Sequence, residues 1–171
     1  MDNLEKFYIN GKWVTPKSSD KMSVLNPATE DKVGEIILGN AEDVDDAVSA
    51  AKAAFSKFSM TPKSYRLGLL KKIREISERR LDDLANAMTM EMGAPKTMAK
   101  DVQADAATGH LDGFIESLEK LEERVTLSNG DILLKEPVGV PTVVSFWPHP
   151  REVLFGESRL KLDLPNEKDY A

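Results

Sequence analysis

The sequence predicts an α/β chain that is mostly helical, with a β-hairpin arm at its N-terminus and one or two core strands near residue 140. Three observations carry this expectation. Residues 7–37 alternate short β-branched or aromatic runs with turn signals such as Asn10-Gly11 and Pro27-Ala28-Thr29-Glu30. From Asn40 the apolar period changes to three and four residues and stays helical for some eighty positions. After Asn129-Gly130 it reverts to strand-like runs, Ile132 to Leu134 and then Val140 to Phe146.

In the arm, Phe7-Tyr8-Ile9 and Lys12-Trp13-Val14 flank Asn10-Gly11, a two-residue hairpin signature. Met22 to Asn26 and Val33 to Ile37 flank the next turn, so the first forty residues read as a small antiparallel ribbon. Asn40 is placed to cap a helix, with Glu42 and Asp43 putting negative charge in its first turn. Val44, Ala47, Val48, Ala51, Ala54 and Phe55 form that helix's apolar stripe.

Thr61 as cap and Pro62 at the first helical position open the next helix, whose stripe is Leu67, Leu70, Ile73 and Ile76. Its basic residues, Arg66, Lys71, Lys72, Arg74, Arg79 and Arg80, alternate with Glu75, Glu78, Asp82 and Asp83. That alternation reads as a solvated, ion-paired face rather than a nucleic-acid surface. A third helix, with Leu84, Ala85, Met88 and Met92 inward, stops at Gly93-Ala94-Pro95. Lys96 to Arg124 reads as the longest helix, with Met98, Val102, Ala106, Leu111, Phe114, Ile115, Leu118 and Leu121 inward. His110 falls on or beside that stripe as a packed or capping residue, and Glu116, Glu119, Glu122 and Glu123 as an outer face.

Composition restricts the chemistry. The chain has 171 residues, 41% hydrophobic and 30% charged, with a net charge of −6 that argues against a general nucleic-acid surface. It contains no cysteine, hence no disulfide, thiolate nucleophile or thiolate metal site. The N-terminus has neither the basic nor the apolar segment of a signal peptide, and no apolar run reaches a membrane span of roughly 18 residues. A cytoplasmic, soluble protein without membrane or nucleic-acid partners is expected.

Several stretches, in order and spacing, resemble the N-terminal part of the aldehyde dehydrogenase superfamily: FYINGKW, NPATEDKVGEI, GNAEDVDDAVSAAKAAF, MGAP and LSNGDILLKEPVGV, over about residues 5 to 140. The resemblance implies an incomplete Rossmann-like cofactor domain, with NAD or NADP as cofactor and a small-molecule aldehyde as substrate. It also implies an oligomerisation hairpin at the N-terminus. Val144, Ser145 and Trp147 match positions lining the cofactor cleft, and Pro148 stands where the family has the asparagine that helps hold the oxyanion. Proline supplies neither that amide nor an N–H. The family's glycine-rich turn, general-base glutamate and catalytic cysteine would follow further on. The 171 residues alone are therefore expected to be inactive, and no catalytic or metal residue is assigned.

A second resemblance covers residues 139 to 168, where an apolar strand, Pro148-His149-Pro150 and Leu164-Pro165-Asn166-Glu167-Lys168 are similar to an internal piece of bacterial bifunctional riboflavin kinase/FMN adenylyltransferase. Two units follow: 1–140, and 141–171 of different family character. The expected fold is a helical bundle with a hairpin arm, its helices keeping apolar stripes that lack a sheet, and a poorly anchored tail from Arg151.

Overall fold

The computed structural model of the chain describes residues 5–142. It opens with β1 (Phe7–Ile9) and β2 (Lys12–Val14), paired antiparallel around Asn10 and Gly11. Both turn residues have positive φ, 52° and 74°, the backbone twist that matches a two-residue hairpin. Tyr8 faces Trp13 across the strands in an edge-to-face pair with ring centroids 5.2 Å apart. A second, separate hairpin joins β3 (Lys21–Leu25) to β4 (Lys32–Ile37). Its turn is pinned by Asn26, whose side chain accepts from Ala28 N–H at 2.9 Å. The expected single ribbon is thus two independent two-stranded sheets.

Helix α1 (Ala41–Phe58) begins as expected at Asn40, in a complete capping box with Asp43. Asp43 is its only buried residue. Of the predicted apolar stripe, Val44 (58%), Ala47 and Ala54 are exposed, while Val48, Ala51 and Phe55 are half-buried. Helix α2 (Lys63–Arg79) starts one residue later than the sequence suggests. Pro62 has ψ 152° and is the residue before the helix, while Thr61 Oγ1 donates back to Phe58 O and caps nothing.

Helix α3 (Leu81–Met92) ends as expected, on Gly93 in the left-handed region. A Cβ at Gly93 would stand 2.6 Å from Pro27 Cγ, so this glycine also admits the turn of the second hairpin. Met90 and Met98 are 40% and 47% exposed.

The long last helix is interrupted. A short α4 (Lys96–Met98) passes into a π-helical segment, Ala99–Ala104, and then into α5 (Asp105–Lys120). Within the segment the backbone bonds reach five residues back, as from Asp105 N–H to Lys100 O, so each turn takes up extra chain and the inward face shifts. The expected core residues Met98 and Val102 are consequently exposed, and Ala99, Gln103 and Ala104 are buried in their place. Gln103 Oε1 is enclosed without a hydrogen-bond donor. His110 is exposed rather than packed. Beyond the segment the periodicity holds, with Leu111 and Ile115 buried.

Helix α5 stops at Lys120, where Leu121 turns extended, and not at Arg124. Arg124 instead begins β5 (Arg124–Thr126), which pairs with β6 (Ile132–Leu134). Their connection is wider than an Asn-Gly two-residue turn: Leu127 N–H bonds Asp131 O at 2.8 Å, and Gly130 alone takes positive φ. All three β6 residues are exposed.

Among the described residues the core is small and rich in alanine. Ala85, Ala94, Ala99 and Ala104 form one cluster with Leu81, Leu84 and Met88 against it, where α3 meets the π-helical segment. Leu111 is the large side chain that is fully buried, beside the seam where α2 packs along α5.

Candidate functional site

An open groove of about 850 Å³ lies among the described residues. Its floor is apolar, from Ala51, Phe55 and Phe58 at the end of α1 and Leu118 and Leu121 at the end of α5. One wall is the α1–α2 turn, and the other is the extended chain 135–141 that leaves β6. Gly139, at φ 149°, lets that chain bend after Val138 and turn Val140 toward the groove.

Two cations set the groove's shape. Lys63 Nζ donates to Glu119 O at 3.1 Å and Leu121 O at 3.0 Å, supplying donors to carbonyls that the end of α5 leaves unpaired. Arg66 Nη1 donates to Thr61 O at 2.6 Å while its Nη2 pairs with Glu123, so one guanidinium ties the α1–α2 turn to the entry of β5. Lys135 N–H bonds Glu123 O at 2.9 Å and holds the outer wall against that point.

These contacts show where the ion-paired face expected of α2 finds its partners. Four of its basic residues reach across to α5 or just beyond: Lys63 to the Glu119 and Leu121 carbonyls, Arg66 to Glu123, Lys71 to Glu119 at 2.7 Å and Arg74 to Asp112 at 2.6 Å. The others pair locally as expected, Lys72 with Glu75 and Arg80 with Asp83. The inward face of α2 is Lys63, Arg66, Leu67, Leu70, Arg74 and Ser77 at helical spacing, and Ile73 and Ile76, expected in the apolar stripe, are 41% and 36% exposed. Glu116, Glu119, Glu122 and Glu123 are exposed, the outer face expected, with Glu119 and Glu123 paired to α2.

The second polar constellation is at the start of α1. Asp43 accepts backbone N–H bonds from Lys17 at 2.8 Å, Asn40 at 3.1 Å and Ser18 at 3.4 Å. These bonds, that from Lys17 foremost, hold its carboxyl below the usual aspartate value. The cap is legible in the sequence, and the loop that it holds is not. Nearby Glu35, hydrogen-bonded first by Lys21 and then by Lys32, is lowered to about 2.

Chemically the described residues offer a recess and no reacting group. Of the two carboxylates lining the groove, Glu123 is paired with Arg66, and no cluster of His, Asp and Glu among the described residues could hold a metal ion. Nor do they fit a dinucleotide. A pyrophosphate needs a glycine turn opening onto bare helix N–H groups. The N-terminus of α1 is filled by Asn40 and Asp43 and flanked by Glu42, and that of α2, which has no side-chain cap, follows Thr61-Pro62 and no glycine. Val144, Ser145 and Trp147, the positions assigned to the cofactor cleft, lie outside the described residues, as do Pro148-His149-Pro150 and most of the strand read from Val140 to Phe146. The groove wall leads directly to them.

Comparison with known proteins decides the family. Residues 13–159 match the aldehyde dehydrogenase family. The chain belongs to that family. It is 40% identical over 151 residues to a 3-succinoylsemialdehyde-pyridine dehydrogenase of a Pseudomonas species, covering 88% of this chain and 31% of that protein. Aldehyde dehydrogenase from Bartonella henselae shares its fold at a TM-score of 0.75 and 39% identity, over 78% of this chain and 29% of that one. Aldehyde dehydrogenase from Mycobacterium tuberculosis, solved with NAD+, gives 0.71 and 32%, again over 78% and 29%. The chain thus spans about a third of the length of these family members. The family match runs on through Pro148-His149-Pro150. The described part accordingly has the truncated α/β architecture expected, mostly helical with small antiparallel strand pairs. Among the described residues no helix is long and apolar enough to cross a membrane.

Proposed function

We propose that this chain supplies the N-terminal part of an NAD(P)-dependent aldehyde dehydrogenase, an oxidoreductase that converts an aldehyde to a carboxylic acid, and that the 171 residues alone do not catalyse the reaction. The family match over residues 13–159 carries the first half of this reading. The second rests on chemistry: the family's route needs a thiolate to attack the aldehyde carbon, and the chain contains no cysteine. Its contribution is scaffolding. Helices α1, α2 and α5 build one side of a groove, and in this reading Val144, Ser145 and Trp147, further along the sequence, meet the cofactor in a larger assembly.

The test is direct. The purified chain is incubated with NAD or NADP and a panel of aldehydes, and the reduced nicotinamide is followed by its absorbance. No turnover above a protein-free control is expected; robust dinucleotide-dependent oxidation of any aldehyde overturns the reading. Titration of NAD against the same chain should likewise give no saturable binding at cellular cofactor concentrations.

A second reading has the chain as a non-catalytic piece that docks on a full-length subunit through its N-terminal hairpin. The exposed Tyr8–Trp13 pair favours it, because aromatic side chains at 63% and 52% exposure are the kind that interfaces bury. Capture of a full-length dehydrogenase subunit by the wild-type chain, and loss of capture in a Tyr8→Ser/Trp13→Ser variant, tests it. The aldehyde dehydrogenase match continues across Gly139-Val140 to residue 159, so a join of two families at that point rests only on the resemblance read in residues 139–168. Sequencing genomic DNA across codons 136 to 145 in single molecules tests whether that join is natural.

A further inference from the structure

We draw no further inference here: the strongest candidate, the apolar groove between the α1–α2 turn, the end of α5 and the chain 135–141, belongs to the site already described, and nothing in the structure shows what covers it.

Discussion

Arg74 grips Asp112 across the α2–α5 seam with two nearly parallel bonds, Nε to Oδ1 at 2.6 Å and Nη2 to Oδ2 at 3.2 Å. A planar guanidinium can present that fork and an ammonium cannot. Arg74→Lys should therefore lower the thermal midpoint about as much as Arg74→Ala. Both side chains are partly exposed, at 34% and 53%, so the loss should be small and should shrink at high salt. Thermal melts of the three proteins at low and high salt check both points; a loss that is large and salt-independent would mean that packing, not charge, holds this seam.

Acid should release the loop before α1. Because three backbone N–H groups bind the Asp43 carboxylate, its folded pKa lies below the unfolded value of 3.8. The stability it contributes is whole above that value and is lost as pH falls through the lower, folded one. Asp43→Asn removes this part of the acid transition, so wild type and variant should differ most at neutral pH and converge only as pH falls below the lowered, folded value. Urea midpoints measured across pH 2–7 provide the check.

Glu35 offers a local readout of the same physics. Its carboxyl should titrate near 2 in the folded chain, and Lys21→Met should move it up toward the ordinary value more than Lys32→Met does. Side-chain carboxyl NMR follows each protein. Equal shifts would mean that the Lys21 hydrogen bond does not outweigh that of Lys32.

Two glycines should respond to alanine with opposite signs. At Gly93, φ is +70° and Pro27 occupies the space of a Cβ, so Gly93→Ala should cost about 1–3 kcal/mol. Gly68 sits inside α2 with nothing within 4 Å of a Cβ. Gly68→Ala should therefore stabilise by about 0.5–1 kcal/mol. Denaturant midpoints of the pair decide the point.

The π-helical segment makes its own prediction. Leu111→Ala should cost about 2–5 kcal/mol, as expected for a fully enclosed leucine. Val102→Ala, an exposed position that regular helical spacing would have placed inside, should stay within about 0.5 kcal/mol. A costly Val102→Ala would restore the uninterrupted helix.

What the sequence reveals is local. Asn10-Gly11, the Asn40 cap and the Gly93 stop each declare themselves through a few neighbouring residues whose backbone needs are distinctive. The differences are of longer range. Nothing in the residues around Met98 announces a π-turn, since an apolar pattern is read against an assumed period and the period itself changes there. Arg124 continues a helical charge pattern yet pairs in a sheet with Leu134, a partner that spacing cannot name. Arg66 and Arg74 carry the same charge as Lys72, and only the arrival of α5 separates those that bridge helices from the one that does not. The cofactor-facing positions Val144, Ser145 and Trp147 rest on family resemblance alone.

Helix α1 buries a single residue, and that residue is an aspartate. A helix so placed presents Val44 and Phe58 to water at its two ends, with little but the capping box to hold it in register. In solution such a chain should light up hydrophobic dyes while still folded, and its tendency to clump should rise with concentration and fall on chilling. Handling it dilute and cold is a direct corollary of how one helix lies.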